Sequence, residues 1–384
     1  MQDDKLIYLD HNATTPIDAE AIEIMNVYMK KEFGNPSSGY SLGVKAKKAV
    51  EKARQEVADL INCKADELIF TSGGSESNNM VLKGVTGLNT IRDKHFITSS
   101  IEHPAIINPA MYLIELGADV TFLPVDSFGM VNPDDVKKSI TRKTVLISIM
   151  LANNETGTLQ PIKEIAEIAR EYSIPLHTDA AQAVGKMDVD AEALGMDFMT
   201  IAGHKLYGPK GVGALFIREG KMLTPLIHGA GQEMDKRAGT ENVILSTGLG
   251  AACRVAKERL AEDIRDNKNL RDLLQELLYN NIDDLAMNGH PEKRLPNTLN
   301  VSIPGIDGGK LLSMLDRVVA STGAACHDRN VKLSHVLSAM GVMPEIGMGT
   351  LRLTLGRLNN RGQIEEAAAQ IINAAKRLKE DSGQ

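Results

Sequence analysis

The sequence predicts an α/β protein: a large domain built on a mostly parallel sheet, followed by a smaller α+β domain. Short apolar runs alternate with charged amphipathic stretches from about residue 40 to about residue 260, the pattern of repeated strand-helix units. Several of those runs are apolar without alternation, as strands covered on both faces are. After about residue 278 the pattern changes to runs in which apolar and polar residues alternate.

In chain order, the turn-rich Gly34-Asn35-Pro36-Ser37-Ser38-Gly39 precedes a helix expected over 41–62, with Val44, Val50, Val57, Leu60 and Ile61 on its apolar stripe. Strands are expected at 68–71, 95–98, 120–123, 145–149, 175–179 and 197–201, separated by helices. A long helix is expected at about 255–278. Leu299-Asn300-Val301-Ser302-Ile303 and Leu351-Arg352-Leu353-Thr354-Leu355 read as strands of a sheet with one wet face. The expected division is a large domain at 16–258 and a small domain made of 1–15 and 259–384, the latter carrying a cysteine loop. No repeat, low-complexity tract or Pro/Ser linker interrupts the chain, so the domains should pack rigidly.

The 384 residues carry 43 basic and 50 acidic side chains, a net charge of −7, with no block of five like charges. That balance argues against nucleic acid and anionic membranes as partners. No run of 18 apolar residues occurs, and Met1-Gln2-Asp3-Asp4-Lys5 is acidic where a signal peptide would be basic, so a cytoplasmic location is expected. Cys63, Cys253 and Cys326 are an odd set without close spacing, which disfavours a disulfide framework.

Two strand ends carry the chemistry. Pro175-Leu176-His177-Thr178-Asp179 ends on a carboxylate, and Asp197-Phe198-Met199-Thr200-Ile201 is followed by Ala202-Gly203-His204-Lys205. Ligands of open α/β sheets bind at the C-terminal ends of the strands. An amine and an anion together there match pyridoxal phosphate, which needs a lysine for its aldehyde and a carboxylate for its ring nitrogen. Thr71-Ser72-Gly73-Gly74-Ser75-Glu76-Ser77 runs from a strand through a glycine pair into a helix, a place where backbone N–H groups and Ser75 can hold a phosphate. Taken alone it reads equally as an ordinary capped turn.

His103 follows a strand and precedes Pro104, where an imidazole can stack on a ring or move protons, although a loop histidine is more often structural. Asn154, just past another strand, can reach a ring oxygen or a carboxylate, or simply form a turn. Gln182 lies close behind Asp179. Cys326, in the polar run Gly323-Ala324-Ala325-Cys326-His327-Asp328, reads as a loop thiol beside a histidine and thus as a nucleophile, whereas Cys63 and Cys253 sit on amphipathic helices as core thiols do. Cys326, His327 and His335 do not have the spacing of a tetrahedral site, and no metal is expected.

These residues carry a family resemblance. Tyr8 to Pro16, Phe33 to Ser38, the Ser-Gly-Gly-Ser-Glu-Ser loop, Glu102-His103, Asn153 to Gly157, Thr178 to Gln182, Gly203 to Gly211 and Arg237-Ala238-Gly239-Thr240 together resemble the NifS-type cysteine desulfurases, over about residues 5 to 375. Those are class V, fold type I pyridoxal phosphate enzymes. The run around Cys326 is more similar to the selenocysteine lyases, as are Leu151 to Asn154 and Thr200 to Lys205.

The resemblance implies removal of sulfur from L-cysteine, and of selenium from L-selenocysteine, leaving L-alanine and a persulfide on Cys326. It assigns Lys205 to the Schiff base, Asp179 to the pyridinium nitrogen, His103 to ring stacking and proton transfer, and Gln182 to the phenolic oxygen. Gly74, Ser75 and His204 match phosphate contacts, and Thr240 matches a residue that reaches the phosphate from the other subunit of a homodimer. Arg352, helped by Asn35 and Asn154, matches the fork that grips the substrate carboxylate. A sulfur or selenium acceptor protein is an implied partner. Ala202 stands where many desulfurases have a serine, which removes one hydrogen bond to the phosphate, about 1.5–3 kcal/mol. A dedicated selenocysteine lyase, a class V aminotransferase and a non-catalytic relative of the fold are the other readings.

Overall fold

In the computed structural model the described residues are 6–327 and 330–381, of which 324–327 and 330–332 are described by backbone alone. A seven-stranded sheet forms from β1 (Leu68–Thr71), β2 (His95–Ser99), β3 (Asp119–Leu123), β4 (Thr144–Ser148), β5 (Leu176–Asp179), β6 (Phe198–Ala202) and β7 (Gly213–Ile217), in the order β1-β7-β6-β5-β4-β2-β3. Every neighbouring pair is parallel except those of β7, which runs antiparallel to both β1 and β6.

β7 has no counterpart among the expected strands. It is a short buried apolar run that returns directly from the loop after β6, without the intervening helix that marks its neighbours. Its first residue must be glycine: a Cβ on Gly213 would lie 2.5 Å from the Ile201 carbonyl oxygen and 2.9 Å from the Gly73 Cα. That close approach brings the β1 loop beside the end of β6.

Helices α1 (Ala19–Lys30), α2 (Ser41–Ile61), α3 (Gly74–Gly84), α4 (Pro104–Glu115), α5 (Pro133–Ser139), α6 (Ile162–Glu171), α7 (Val243–Tyr279) and α8 (Arg361–Asp381) surround the sheets. α2 buries Ala46, Val50, Ala53, Val57, Leu60 and Ile61, and ends at Asn62 in the left-handed conformation. Val44, expected on that stripe, is exposed. α7 begins twelve residues before the expected 255, capped by the Asn242 side chain, which accepts from the Leu245 N–H. Two glycines within Ser246 to Ala252 weaken the local helix signal. They serve packing instead, since a Cβ on Gly250 would lie 2.6 Å from the Ala53 Cα of α2.

One face of the large sheet packs Ile147, Met199 and Phe216 with residues of α2, α6 and α7; the other packs Phe96 and Leu215 with Met80 of α3 and Ile106 and Leu113 of α4. α7 belongs to two cores. Leu249, Ala252 and Ala256 join the first, while Leu274 and Leu278 join a separate cluster with Ile7, Leu9, Val301, Leu353, Ile364 and Ile371. The expected division at 258 thus falls inside one continuous helix.

The second core supports an antiparallel sheet of β8 (Ala286–Met287), β9 (Thr298–Ser302), β10 (Ser321–Thr322) and, after a hairpin of β11 (Ala324–His327) and β12 (Asn330–Leu333), β13 (Thr350–Thr354), in the order β10-β13-β9-β8. The expected wet face does not exist: every residue of β9 is buried, as is all of β13 but Arg352. Its polar side chains face other polar groups. Thr298 accepts from Asn12, and Asn300 donates to the Glu155 carbonyl. Cys326, expected in a loop, has strand backbone opposite Val331 in the hairpin. Among the described residues no helix is long and apolar enough to cross a membrane.

Candidate active site

Lys205 closes a short turn, Gly203–Lys205, directly after β6. Its Nζ donates to the backbone carbonyls of Asn12 at 2.6 Å and Ala13 at 2.7 Å. Burial pushes its pKa down to about 8, helped by the Arg352 charge and opposed by Asp179 and Asp10. Asp179 ends the adjacent β5 and is 7% exposed. Asn78, from α3, donates to its Oδ2 at 2.7 Å, and the Ala181 N–H donates to its Oδ1 at 3.0 Å. The lysine and the carboxylate line one cavity of about 340 Å³.

The first turn of α3 forms one wall of that cavity, with Gly74 and Ser75 at its surface. A neighbouring cavity of about 380 Å³ shares Ala13, Gly74, Ser75 and His204 and adds Lys210. The opening N–H groups of a helix have no partner within it and favour an anion. Glu76 fixes this loop by accepting from the Ser72 N–H at 2.8 Å and pairing with Arg237 at 2.8 Å. His204 contacts Thr14 Oγ1 at 3.2 Å, and burial, with Lys205 nearby, pushes its pKa down to about 4.

His103 is the N-cap of α4, its Nδ1 accepting from the Ala105 N–H at 3.1 Å. In a neutral ring the proton therefore sits on Nε2, and burial lowers the pKa so that the neutral ring is favoured. Asn154 and Gln182 line the same cavity, Gln182 donating to the Asn12 carbonyl at 2.9 Å. Arg352 reaches it from β13; Asp10 holds one Nη at 2.8 Å, while the buried Nε has no hydrogen-bond partner among the described residues.

Two of the expected residues stand elsewhere. Asn35 is exposed, its side-chain oxygen accepting from the Ser37 N–H, and it does not line the cavity of a single chain. Thr240 is exposed beside a separate cavity shared with Ser72 and Arg237. The Cys326 side chain lies outside the described residues; the foot of its hairpin is tied down where Ser334 donates to Glu155 at 2.6 Å and His335 Nε2 meets the Glu102 carbonyl at 2.9 Å. Cys253 is buried and the Cys63 thiol is pushed up to about 12 by burial, so neither is an activated thiol.

Residue-by-residue reading of the sequence did not single out Asn12, Asn78 or Lys186. Asn12 joins Lys205, Gln182 and Lys186, in turns that follow strands of the large sheet, to Asn297, Thr298 and Thr354 in and beside the small one. Its signal was its place in Asp10-His11-Asn12-Ala13, while Asn78 and Lys186 carry no local pattern.

The donors present fit pyridoxal phosphate: a buried amine of lowered basicity, a carboxylate held by an amide, and a helix N-terminus, all lining one cavity. The aminotransferase class-V family model matches residues 7–366. The chain is 47% identical over 352 residues to cysteine desulfurase IscS of Dictyoglomus turgidum, covering 91% of this chain and 89% of that one. It resembles the solved structure of a NifS-like protein with a TM-score of 0.91 at 36% identity, covering 97% of this chain and 99% of that one. A structure described as SspA in complex with cysteine matches with a TM-score of 0.80 at 34% identity, covering 91% and 98%.

Proposed function

Because this chain belongs to the class-V aminotransferase family, among the cysteine desulfurases of the IscS and NifS-like kind, we propose that its cavity holds pyridoxal phosphate and converts L-cysteine to L-alanine, leaving the sulfur as a persulfide on Cys326. The single observation that carries this reading is that Lys205 and Asp179 line one cavity with Arg352. Lys205 would hold the aldehyde carbon, Asp179 the ring nitrogen, His103 the ring face, and Gly74, Ser75 and His204 the phosphate. When bound, the cofactor supplies an electron sink for breaking bonds at the amino acid's α-carbon and beyond.

The protein groups do the rest. An amine with a pKa of about 8 can release and recover a proton near neutral pH, as a general base must. Arg352, steadied by Asp10 and with Nε unpaired among the described residues, presents donors for a carboxylate. The balance is closed: L-cysteine and one enzyme thiol yield L-alanine and one enzyme persulfide, the substrate's carbon–sulfur bond and the enzyme thiol's sulfur–hydrogen bond being replaced by a carbon–hydrogen bond and a sulfur–sulfur bond. Thr240, exposed in the single chain, suits contact with a second copy, which supports a homodimer. Gly323-Ala324-Ala325-Cys326-His327 supports action on L-selenocysteine as well.

The test is incubation of the loaded enzyme with L-cysteine and a thiol reductant. Sulfide and alanine in equal amounts are expected, with sulfide lost in Cys326→Ala. A keto acid in place of sulfide would favour the aminotransferase reading, and full sulfide release by the variant would refute the role of Cys326.

A further inference from the structure

Lys186 lies four residues beyond Gln182, in the turn that follows β5, and is the second lysine drawn into this region. Its Nζ donates to Gln182 Oε1 at 2.7 Å and to Asn12 Oδ1 at 2.9 Å. Gln182 in turn donates through Nε2 to the Asn12 carbonyl at 2.9 Å, the same oxygen that accepts from Lys205 at 2.6 Å. A closed ring of hydrogen bonds thus runs from Lys186 through both amides to the reactive amine.

A lysine side chain placed this way gives protons to the amide oxygens and so removes the ambiguity of an amide's orientation. Gln182 must turn its oxygen to Lys186 and its NH₂ the other way. One hydrogen of that NH₂ goes to Asn12, and Gln182 also lines the cavity while Lys186 does not. Asn12 is fixed in the same sense: with Oδ1 taken by Lys186 and Asn297, its Nδ2 donates to Thr298 at 2.9 Å and to the Asn154 carbonyl at 3.2 Å.

We propose that Lys186 is a positioning residue of the active site: by holding the Gln182 and Asn12 amide oxygens it ensures that the cavity meets a hydrogen-bond donor, never an acceptor, at Gln182, and that the Asn12 carbonyl stays on Lys205. Burial and the positive charges of Lys205 and Arg352 lower the proton affinity of Lys186. As an ammonium it has only donors; an uncharged amine would keep two N–H groups, one for each amide oxygen, but would add a lone pair that an amide N–H could meet, so the lock is strictest in the protonated form. The inference rests on the reading that the cavity holds pyridoxal phosphate, whose ring oxygen would face that donor. A donor there lowers the oxygen's affinity for a proton.

The experiment compares wild type, Lys186→Met, Gln182→Leu and the double variant as full-length protein. Two quantities are read: the affinity of the cofactor-free chain for added pyridoxal phosphate, and the pH at which the visible band of the loaded protein titrates. Lys186→Met should weaken binding about tenfold and move the titration up by about one unit, the size of one lost hydrogen bond to a charged group. Gln182→Leu should shift the titration by the same amount and the double variant no further, because Lys186 reaches the ring oxygen only through Gln182. Unchanged binding and titration in Lys186→Met, or titration shifts that add in the double variant, would overturn the proposal.

Should Lys186→Met not fold, Lys186→Gln decides. Its amide offers an oxygen as well as N–H groups and so no longer forces the Gln182 oxygen toward position 186; it must shift the titration in the same direction, and an unshifted band would overturn the proposal. Failure of wild type itself to take up pyridoxal phosphate would instead remove the cofactor reading on which this inference stands.

Discussion

Arg54 and Glu233, 179 residues apart in the chain, meet as a buried ion pair with Nη1 and Oε2 at 2.6 Å. The same carboxylate oxygen accepts from the Phe70 N–H at 2.8 Å, and the same guanidinium donates to the Leu68 carbonyl at 2.9 Å. The pair ties β1 to a turn in which Glu233, Met234 and Asp235 have φ of 48°, 56° and 62°. Three consecutive residues with side chains hold that left-handed conformation only when their surroundings impose it.

Removing one partner of this pair leaves the other charge buried, so Glu233→Ala should cost about 3–5 kcal/mol in urea unfolding. The double variant Arg54→Met, Glu233→Met should recover most of that loss. A single-variant cost of only about 0–1 kcal/mol, typical of exposed pairs, would contradict the buried assignment.

Glu102, beside His103, is fully buried, and burial pushes its pKa up to about 8 although Ser99 and the Met150 N–H donate to it at 2.7 and 2.9 Å. The folded state therefore favours the protonated acid. Its contribution to stability is complete below about pH 4.5, the ordinary value, and is lost as pH rises toward 8. Glu102→Gln imitates the protonated acid, so the stability difference between variant and wild type should move in the variant's favour from pH 5 to pH 8. A difference that is flat across this range would sink the idea.

His177 behaves in the opposite sense. It is buried between Ser148 at 2.8 Å and Thr200 at 3.1 Å, and burial lowers its pKa to about 3. The neutral ring's contribution is present above about pH 6.5 and fades as pH falls toward 3. His177→Gln, which does not titrate, should reduce the acid sensitivity of the urea midpoint between pH 7 and pH 5. An unchanged slope would count against it.

Ser334 tests the hairpin that carries Cys326. Ser334→Ala removes the 2.6 Å hydrogen bond to Glu155 at the hairpin's foot. Sulfide release from L-cysteine should drop about tenfold, the worth of one hydrogen bond, while retention of pyridoxal phosphate stays as in wild type. Equal loss of both would indicate general disruption of the site.

Much of this was legible because the chemistry sits where a parallel sheet places it. Asp179 and Lys205 follow apolar runs that could only be buried strands, and strand ends are where such sheets bind ligands. β7 was not, because an antiparallel return without a helix leaves no change of period to detect. The alternation in β9 and β13 was read correctly as two unlike faces but assigned to water, since a two-residue period reveals a polar face and not what covers it. Asn12 and Lys186 act through partners scattered from residue 12 to residue 354, a relation that no local window contains.

The stitching of Asn12 to Thr354, across 342 residues, orders events during synthesis. The amine at position 205 finds its carbonyl acceptors at residues 12 and 13, yet Asn12 lies against a strand made more than 300 residues later. A chain that stops before residue 354 lacks the bed on which the segment around Asn12 settles. Asn12, Ala13 and Arg352 are themselves part of the cavity wall, so the pocket is complete only when segments some 340 residues apart have met.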